Sequence, residues 1–146
     1  MLGIRHGFYT TDANIAWEID SLIDFMEENY NDSVGLPFKT MSGAPVDDED
    51  KRKFHGYFDK MIPFLNARLE GHGKKWIAGT DNPTIADFKV YQGLVMLFEV
   101  ASNPTPQEDK DIVSQKISVT TKLRNYMRDL TAYMQPWLAA RVATPI

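Results

Sequence analysis

Two carboxylates in the first part of the chain have a spacing that suits chemistry. Asp20 and Asp24 stand four residues apart, so a helical segment places them one turn apart on the same face. Carboxylates held together in this way can position a cation or an ammonium group. They can equally form an acidic surface or pair with Lys or Arg from another helix. The spacing alone therefore leaves the role of Asp20 open.

The other residue types that carry enzyme chemistry form no recognisable sets. His6, His55 and His72 lie in three separate segments, without the spacing of metal ligands. The chain has no cysteine, which excludes disulfides, thiolate metal sites and a cysteine nucleophile. No serine lies in a nucleophile-elbow pattern, and no glycine-rich phosphate loop or dinucleotide fingerprint occurs. The residues alone predict neither a catalytic constellation nor a metal site.

The segment that organises the predicted fold begins at Thr84. Thr84 and Asp87 have the spacing of a capping box. In that arrangement the Thr84 hydroxyl accepts from the Asp87 N–H, and the Asp87 carboxylate accepts from the Thr84 N–H. Residues 90–98 then contain no charged side chain, which is typical of a helix in the middle of a bundle. Gly93 in this run lowers helix propensity by roughly 1 kcal/mol relative to Ala, so we expect a close helix–helix approach there.

Helical periodicity precedes this central segment. Apolar residues at helical spacing predict an amphipathic helix over about residues 12–30, whose other faces are strongly acidic. Residues 31–45 are rich in Gly, Pro and polar side chains, which predicts a loop that binds a ligand or faces a partner. The acidic run 47–50 begins a second long helix with a kink at Pro63, and residues 71–73 end it.

The pattern continues beyond the central helix, which we expect to end near residue 101. Thr105 and Glu108 form a second capping-box pattern, with Pro106 at the first helical position. Further helices are predicted around residues 112–117 and 123–130. A short final helix is predicted over residues 136–141, before an extended tail. Because no two-residue alternation, hairpin dipeptide or repeat occurs, we predict an all-α bundle of five or six helices around a buried central helix.

Composition restricts the class of protein. A chain of 146 residues with 43% hydrophobic and 25% charged residues is typical of one globular domain. Its net charge of −4 argues against nucleic-acid binding. The N-terminus lacks the pattern of a secretory signal, and the longest apolar stretch, residues 90–98, is too short to span a membrane. We therefore expect a soluble intracellular protein of the cytoplasm, while an organelle stays open.

Four segments together resemble one family. Gly79 and the run 83–88 (Pro-Thr-Ile-Ala-Asp-Phe) resemble the capping-box motif of the glutathione S-transferase C-terminal helical domain. Residues 123–128 and 137–141 resemble its terminal helices, residues 4–9 resemble the linker that enters it, and residues 17–24 resemble its first helix. One departure is Pro83, which stands where the family usually has an aliphatic residue.

The resemblance implies a domain organisation. Residues 1–11 correspond to the linker, and residues 12–146 correspond to the helical domain. In the family, a thioredoxin-like N-terminal domain holds glutathione and supplies the residue that activates its thiol. The resemblance begins at the linker, so we expect that domain to be absent. Tyr9 accordingly falls in the linker and is not expected to be the thiol-activating tyrosine.

The resemblance also implies site residues. Asp20 resembles an acid that reaches across the dimer interface to the glutathione amino group in several classes of the family. Tyr9, Ala13 and Tyr30 are implied as the wall of a hydrophobic-substrate groove. Thr84 and Asp87 are implied to be structural, and no catalytic residue and no metal ligand is carried over.

Three functions follow from the resemblance. The first is a non-catalytic interaction or structural subunit of a larger assembly. Protein partners or further copies of the chain would then cover the face left by the thioredoxin-like domain. This function needs no cofactor. The second is the hydrophobic-substrate-binding half of a glutathione transferase whose other half is missing or supplied in trans. Only this second function requires glutathione. The third is a small-ligand carrier that uses a groove between helices.

Overall fold

The computed structural model of the 146-residue chain describes residues 2–99 and 102–140. Within these ranges every regular element is helical, which confirms the all-α prediction. The predicted number of five or six helices is wrong, since seven are present in the described ranges. They are α1 (Leu2–Arg5), α2 (Ala13–Glu28), α3 (Tyr30–Ser42), α4 (Asp48–His72), α5 (the consecutive segments Ile85–Val90, Tyr91–Val95 and Met96–Glu99), α6 (Gln107–Ser118) and α7 (Thr121–Ala140).

The helices form one bundle, and α5 contacts helices on two of its sides. α5 packs on α2 and α7, while α4 packs on α3, α6 and α7. The middle of α5 is buried, with Val90 and Leu94 fully inaccessible to solvent. No helix in the described ranges is long and apolar enough to cross a membrane.

The main correction concerns α3, which occupies most of the region predicted as a loop. Leu36 is fully buried against the core, and the Lys39 ammonium pairs with the Asp50 carboxylate of α4 at 2.6 Å. Packing on α4 therefore outweighs the low helix propensity of Gly35 and Pro37. Gly43 ends the helix in the left-handed conformation, with φ of 71°, which glycine adopts without steric cost.

The long helix α4 forms much as predicted. The Asp47 side chain accepts from the Asp50 N–H, the Asp50 side chain accepts from the Asp47 N–H, and Gly73 provides a left-handed C-cap. Pro63 lies inside this helix.

Two predicted helix boundaries near the C-terminus are wrong. Thr105 does not cap α6, because the position before the helix is Pro106, which offers no side-chain cap. The buried Thr105 hydroxyl makes no hydrogen bond within the described residues. Residues 121–140 form one helix through Pro136 instead of a separate helix that starts there. Arg141, where the predicted final helix ended, and the tail lie outside the described residues, as does residue 101, where the central helix was expected to end.

The N-terminal segment docks on the start of α5. The Ile85 N–H donates to the Phe8 carbonyl oxygen at 2.9 Å, and the Phe8 and Phe88 rings meet edge to face with centroids 5.1 Å apart. The segment that the resemblance implies to be a linker is thereby tied to the central helix.

The capping box at Thr84 is present, and most of its hydrogen bonds are accepted by the Asp87 carboxylate. The Thr84 N–H donates to Asp87 Oδ2 at 2.7 Å, and the Thr84 hydroxyl donates to the same oxygen at 3.1 Å. The Asp87 N–H donates to the Thr84 carbonyl oxygen at 3.1 Å and makes no separate side-chain cap hydrogen bond. The predicted reciprocal arrangement is present, but its hydroxyl half is the weaker one.

Asp87 also connects segments distant in sequence. Its Oδ1 accepts from the Ile77 N–H at 3.0 Å and from the Tyr126 hydroxyl of α7 at 2.9 Å. Burial raises the pKa of the fully inaccessible Asp87 carboxyl, and the hydrogen bonds from Thr84, Ile77 and Tyr126 oppose this rise. A carboxylate that accepts from so many donors fixes α5, α7 and the preceding loop relative to one another.

Replacing Asp87 by Ala should destabilise the fold by about 3 kcal/mol or more, because it leaves the Ile77 and Thr84 N–H groups and the Tyr126 hydroxyl buried without an acceptor. Thr84→Ala should cost about 1 kcal/mol, since the backbone half of the capping box survives. Urea unfolding of both variants measures the difference. Asp24→Ala, at an exposed position of α2, is the control and should change stability by less than about 0.5 kcal/mol. Equal losses of unfolding free energy for Thr84→Ala and Asp87→Ala would show that the Asp87 carboxylate does not contribute more stability than the Thr84 hydroxyl.

Candidate functional site

The carboxylate implied to bind glutathione has a neighbour from the N-terminal segment. The Tyr9 hydroxyl donates to Asp20 Oδ2 at 2.6 Å on the protein surface. This hydrogen bond, with smaller contributions from burial and from the charge of Asp20, raises the pKa of Tyr9. Asp24 lies exposed one turn further along α2. Among the residues described, no group of three or more His, Cys, Asp or Glu side chains is arranged to hold a metal ion.

The residues implied to form a hydrophobic-substrate groove do not meet in one site. Tyr9 and Ala13 lie near the start of α2, whereas Tyr30 follows its end, about 24 Å away along a helix of this length. Tyr9 borders a shallow depression with residues 80–82. Tyr30 lines a different and deeper space, so the groove of Tyr9, Ala13 and Tyr30 is split between two places.

The deeper space lies between α2, α3, α4 and α5, and we refer to it as the inter-helix pocket. Its volume is about 210 Å³. The lining is mostly apolar and aromatic, and it includes the buried Met26, Phe54, Phe58 and Leu97. Pockets of this character, with a few polar groups among apolar side chains, are typical of small-molecule sites.

A π-helical turn in α5 forms one wall of the inter-helix pocket. Residues Tyr91–Val95 adopt this wider turn, a feature that occurs often at functional sites. Gly93 lies within it and faces α2: a Cβ atom there would stand 2.6 Å from Met26 Cε and 3.6 Å from the Tyr57 hydroxyl oxygen. The close approach expected at Gly93 is therefore present, and the Met26 side chain fills the room that a larger residue would need.

Two buried pocket residues have hydroxyls that make no hydrogen bond within the described residues: Thr105, whose hydroxyl is buried, and Tyr57 on α4. The Tyr57 side chain lines the pocket from α4 and is only 3% exposed. Its hydroxyl makes no hydrogen bond to any residue in the described ranges. Burial, assisted by the nearby charge of Glu27, raises the pKa of Tyr57 to about 12. The hydroxyl therefore keeps its proton at neutral pH and can act as a donor.

The charges at the mouth of the inter-helix pocket compensate one another. The Lys89 ammonium pairs closely with the Glu27 carboxylate of α2. The same ammonium lies 5.4 Å from the centre of the Tyr30 ring, within the range of a cation–π interaction. The cation lining the pocket is thus already partnered, which makes the mouth close to neutral.

A second feature of α3 is a row of exposed apolar side chains. Tyr30, Phe38 and Met41 are 42%, 63% and 65% exposed. Their spacing of eight and eleven residues keeps them within about a quarter of the helix circumference. We call this row the α3 stripe.

Sequence reasoning missed Tyr57, Phe38 and Met41. Tyr57 follows Phe54 at helical spacing, and that position indicates burial but not an unbonded hydroxyl. The Phe38 and Met41 pattern is visible only if residues 30–42 are assigned to a helix, and the local Gly and Pro content argued against that assignment.

Stability at alkaline pH should report on the burial of Tyr57. In the unfolded chain Tyr57 ionises near its ordinary pKa of 10, but in the folded protein it ionises only near 12. Stability is therefore fully present below about pH 10 and falls as the pH rises toward 12. Between about pH 9 and about pH 11.5 the wild type should lose about 2 kcal/mol more than Tyr57→Phe, measured by urea unfolding. Equal losses would show that the Tyr57 hydroxyl is solvated.

Comparison of the chain with models of protein families, with curated proteins and with solved structures finds no match.

Proposed function

We propose that this chain is a non-catalytic interaction module, built on a helical fold like that of the glutathione S-transferase C-terminal domain, that binds another protein through α3. The observation that carries the proposal is the α3 stripe. Exposed apolar side chains on one helix face are typical of a surface that docks into a groove of a partner. The order of the capping box, the first helix and the terminal helices in the sequence supports the family resemblance.

The acidic charge near the α3 stripe favours a partner whose binding surface carries basic side chains. Glu28 is exposed two residues before Tyr30, whereas Asp32 lies on the opposite side of α3, toward Arg52 of α4. A symmetric contact between two copies through this face would bring acidic groups near acidic groups. We therefore infer a different protein, with an apolar groove bordered by basic side chains, in place of a second copy.

Replacing Phe38 and Met41 together by Ser should weaken partner binding at least roughly tenfold, because both side chains lie where apolar anchors supply binding energy. The fold should stay intact, since exposed positions contribute little to stability. A photo-crosslinker at the exposed Asn31, beside the α3 stripe, identifies the partner in native extract, and the binding constant is then measured with the purified pair.

The matched control is Val119→Ser, which removes an 82% exposed side chain after α6 and should leave binding unchanged. Light scattering of the purified chain should give a monomer. A stable homodimer lost in the Phe38→Ser, Met41→Ser protein would contradict the inferred partner class, and unchanged partner binding by this variant would refute the α3 stripe as the interface.

The alternative is a substrate-binding half of a glutathione transferase, and the Tyr9–Asp20 pair is the observation that bears on it. Asp20 lies at the surface and belongs to the residues that the resemblance connects with glutathione. However, the Tyr9 hydroxyl already donates to Asp20, and the raised pKa of Tyr9 opposes the deprotonated form. Tyr9 is therefore poorly suited to stabilise a thiolate.

We expect the purified chain to show no conjugation of glutathione to an aryl halide and no retention on immobilised glutathione. The physical reason is that the hydroxyl next to Asp20 is committed to that carboxylate. Asp20→Asn serves as the comparison, and it should behave like the wild type. Turnover above the uncatalysed rate that Asp20→Asn lowers would favour the enzymatic alternative over the interaction module.

A further inference from the structure

We infer that the inter-helix pocket is a binding site for a small neutral molecule with an apolar body and one hydrogen-bond acceptor, such as an aryl ketone, which the Tyr57 hydroxyl recognises. This goes beyond the docking of a protein on α3, because the site lies between helices and needs no partner.

Size sets the first limit on the ligand. The pocket volume is about 210 Å³, and a dry apolar cavity of about 150 Å³ is sufficient to bind benzene. The inter-helix pocket therefore has room for one ring and a short substituent. The aromatic and aliphatic walls formed by Met26, Phe54 and Phe58 favour the burial of such a ring.

The polar group of the ligand follows from Tyr57. Its side chain is 3% exposed, its hydroxyl is accessible from the pocket, and no hydrogen bond joins that hydroxyl to another residue in the described ranges. The hydroxyl also lies beside Gly93, which shares the pocket wall. A donor on the wall of an apolar pocket gives a ligand acceptor a hydrogen bond that is stronger than the same bond in water. Because the hydroxyl retains its proton, it can donate to an acceptor on the ligand, such as a carbonyl oxygen.

The charge of the ligand follows from Lys89. Its ammonium is held by Glu27 and by the face of the Tyr30 ring. An anionic ligand would have to displace the Glu27 carboxylate, and a cationic ligand would meet the ammonium itself. Both charged forms would also lose hydration in an apolar pocket. An uncharged ligand avoids each of these costs.

Gly93 leaves open part of the pocket volume, and a substitution at this position can fill it. A Cβ atom at this position would force Met26 Cε to move. Met26 lines the pocket, so its displaced methyl group has the pocket as its nearest free space. Gly93→Ala should therefore reduce the volume open to a ligand, while alanine suits the helix better than glycine.

The test titrates the full chain with acetophenone, and with α-methylstyrene, which replaces the carbonyl oxygen by a methylene group of similar shape. The chain has seven methionines, and labelled methionine methyl signals report the binding. Saturable shifts are expected at Met26 and Met96, which line the pocket, and not at the exposed Met41. Acetophenone should bind roughly 3- to 10-fold more tightly than α-methylstyrene, and benzoate should bind least.

Two variants and one control test the Tyr57 hydroxyl and the pocket volume separately. Tyr57→Phe should bind both ligands with equal affinity, because it removes only the donor. Gly93→Ala should weaken both ligands, with the helical circular dichroism signal retained. Tyr133→Phe changes a tyrosine that does not line the pocket and should keep the wild-type preference. Absence of saturable shifts at Met26 and Met96 would overturn the site. A preference for acetophenone that survives in Tyr57→Phe would overturn the role of the hydroxyl.

Discussion

The architecture depends on one buried carboxylate. Asp87 is fully inaccessible, and it accepts hydrogen bonds from the loop before α5, from the N-cap residue Thr84 and from α7. Taking an acid out of water is unfavourable unless donors replace the lost hydration. The positions of Ile77 and Tyr126 are therefore constrained jointly, since a shift of either would leave a charge or a donor unsatisfied. Through these bonds, the start of the central helix determines how the surrounding helices approach it.

Local sequence signals predicted the features that depend on neighbouring residues. The Thr84 to Asp87 spacing, the acidic start of α4 and the glycine at its end each act within one turn of a helix, so they are readable from the chain alone. The bonds from Asp87 to Ile77 and Tyr126 span 10 and 39 residues. No local pattern specifies which distant donor reaches a capping carboxylate, and these partners were accordingly not predicted.

The errors have the same origin. Residues 30–42 carry Gly35 and Pro37, which lower local helix propensity, but burial of Leu36 against α4 decides the outcome. At Thr105 the local pattern favoured a cap, yet the helix begins one residue later than that pattern requires. For the same reasons, the sequence predicted neither of the two candidate binding features. The α3 stripe was hidden by the wrong assignment of its helix, and the inter-helix pocket exists only where four helices converge.

The wider turn at Tyr91–Val95 has a consequence for how this molecule could diverge. A π-helical turn accommodates one more residue than an α-helical turn, so the two ends of α5 are offset by one position in the helical repeat. Loss of a single codon within this turn would restore regular α-helical winding and leave the later side chains of α5 on nearly the same faces, because the wider turn takes up the extra residue. A change of one residue in length would therefore alter the pocket wall at Gln92 and Gly93, while the rest of α5 keeps its neighbours.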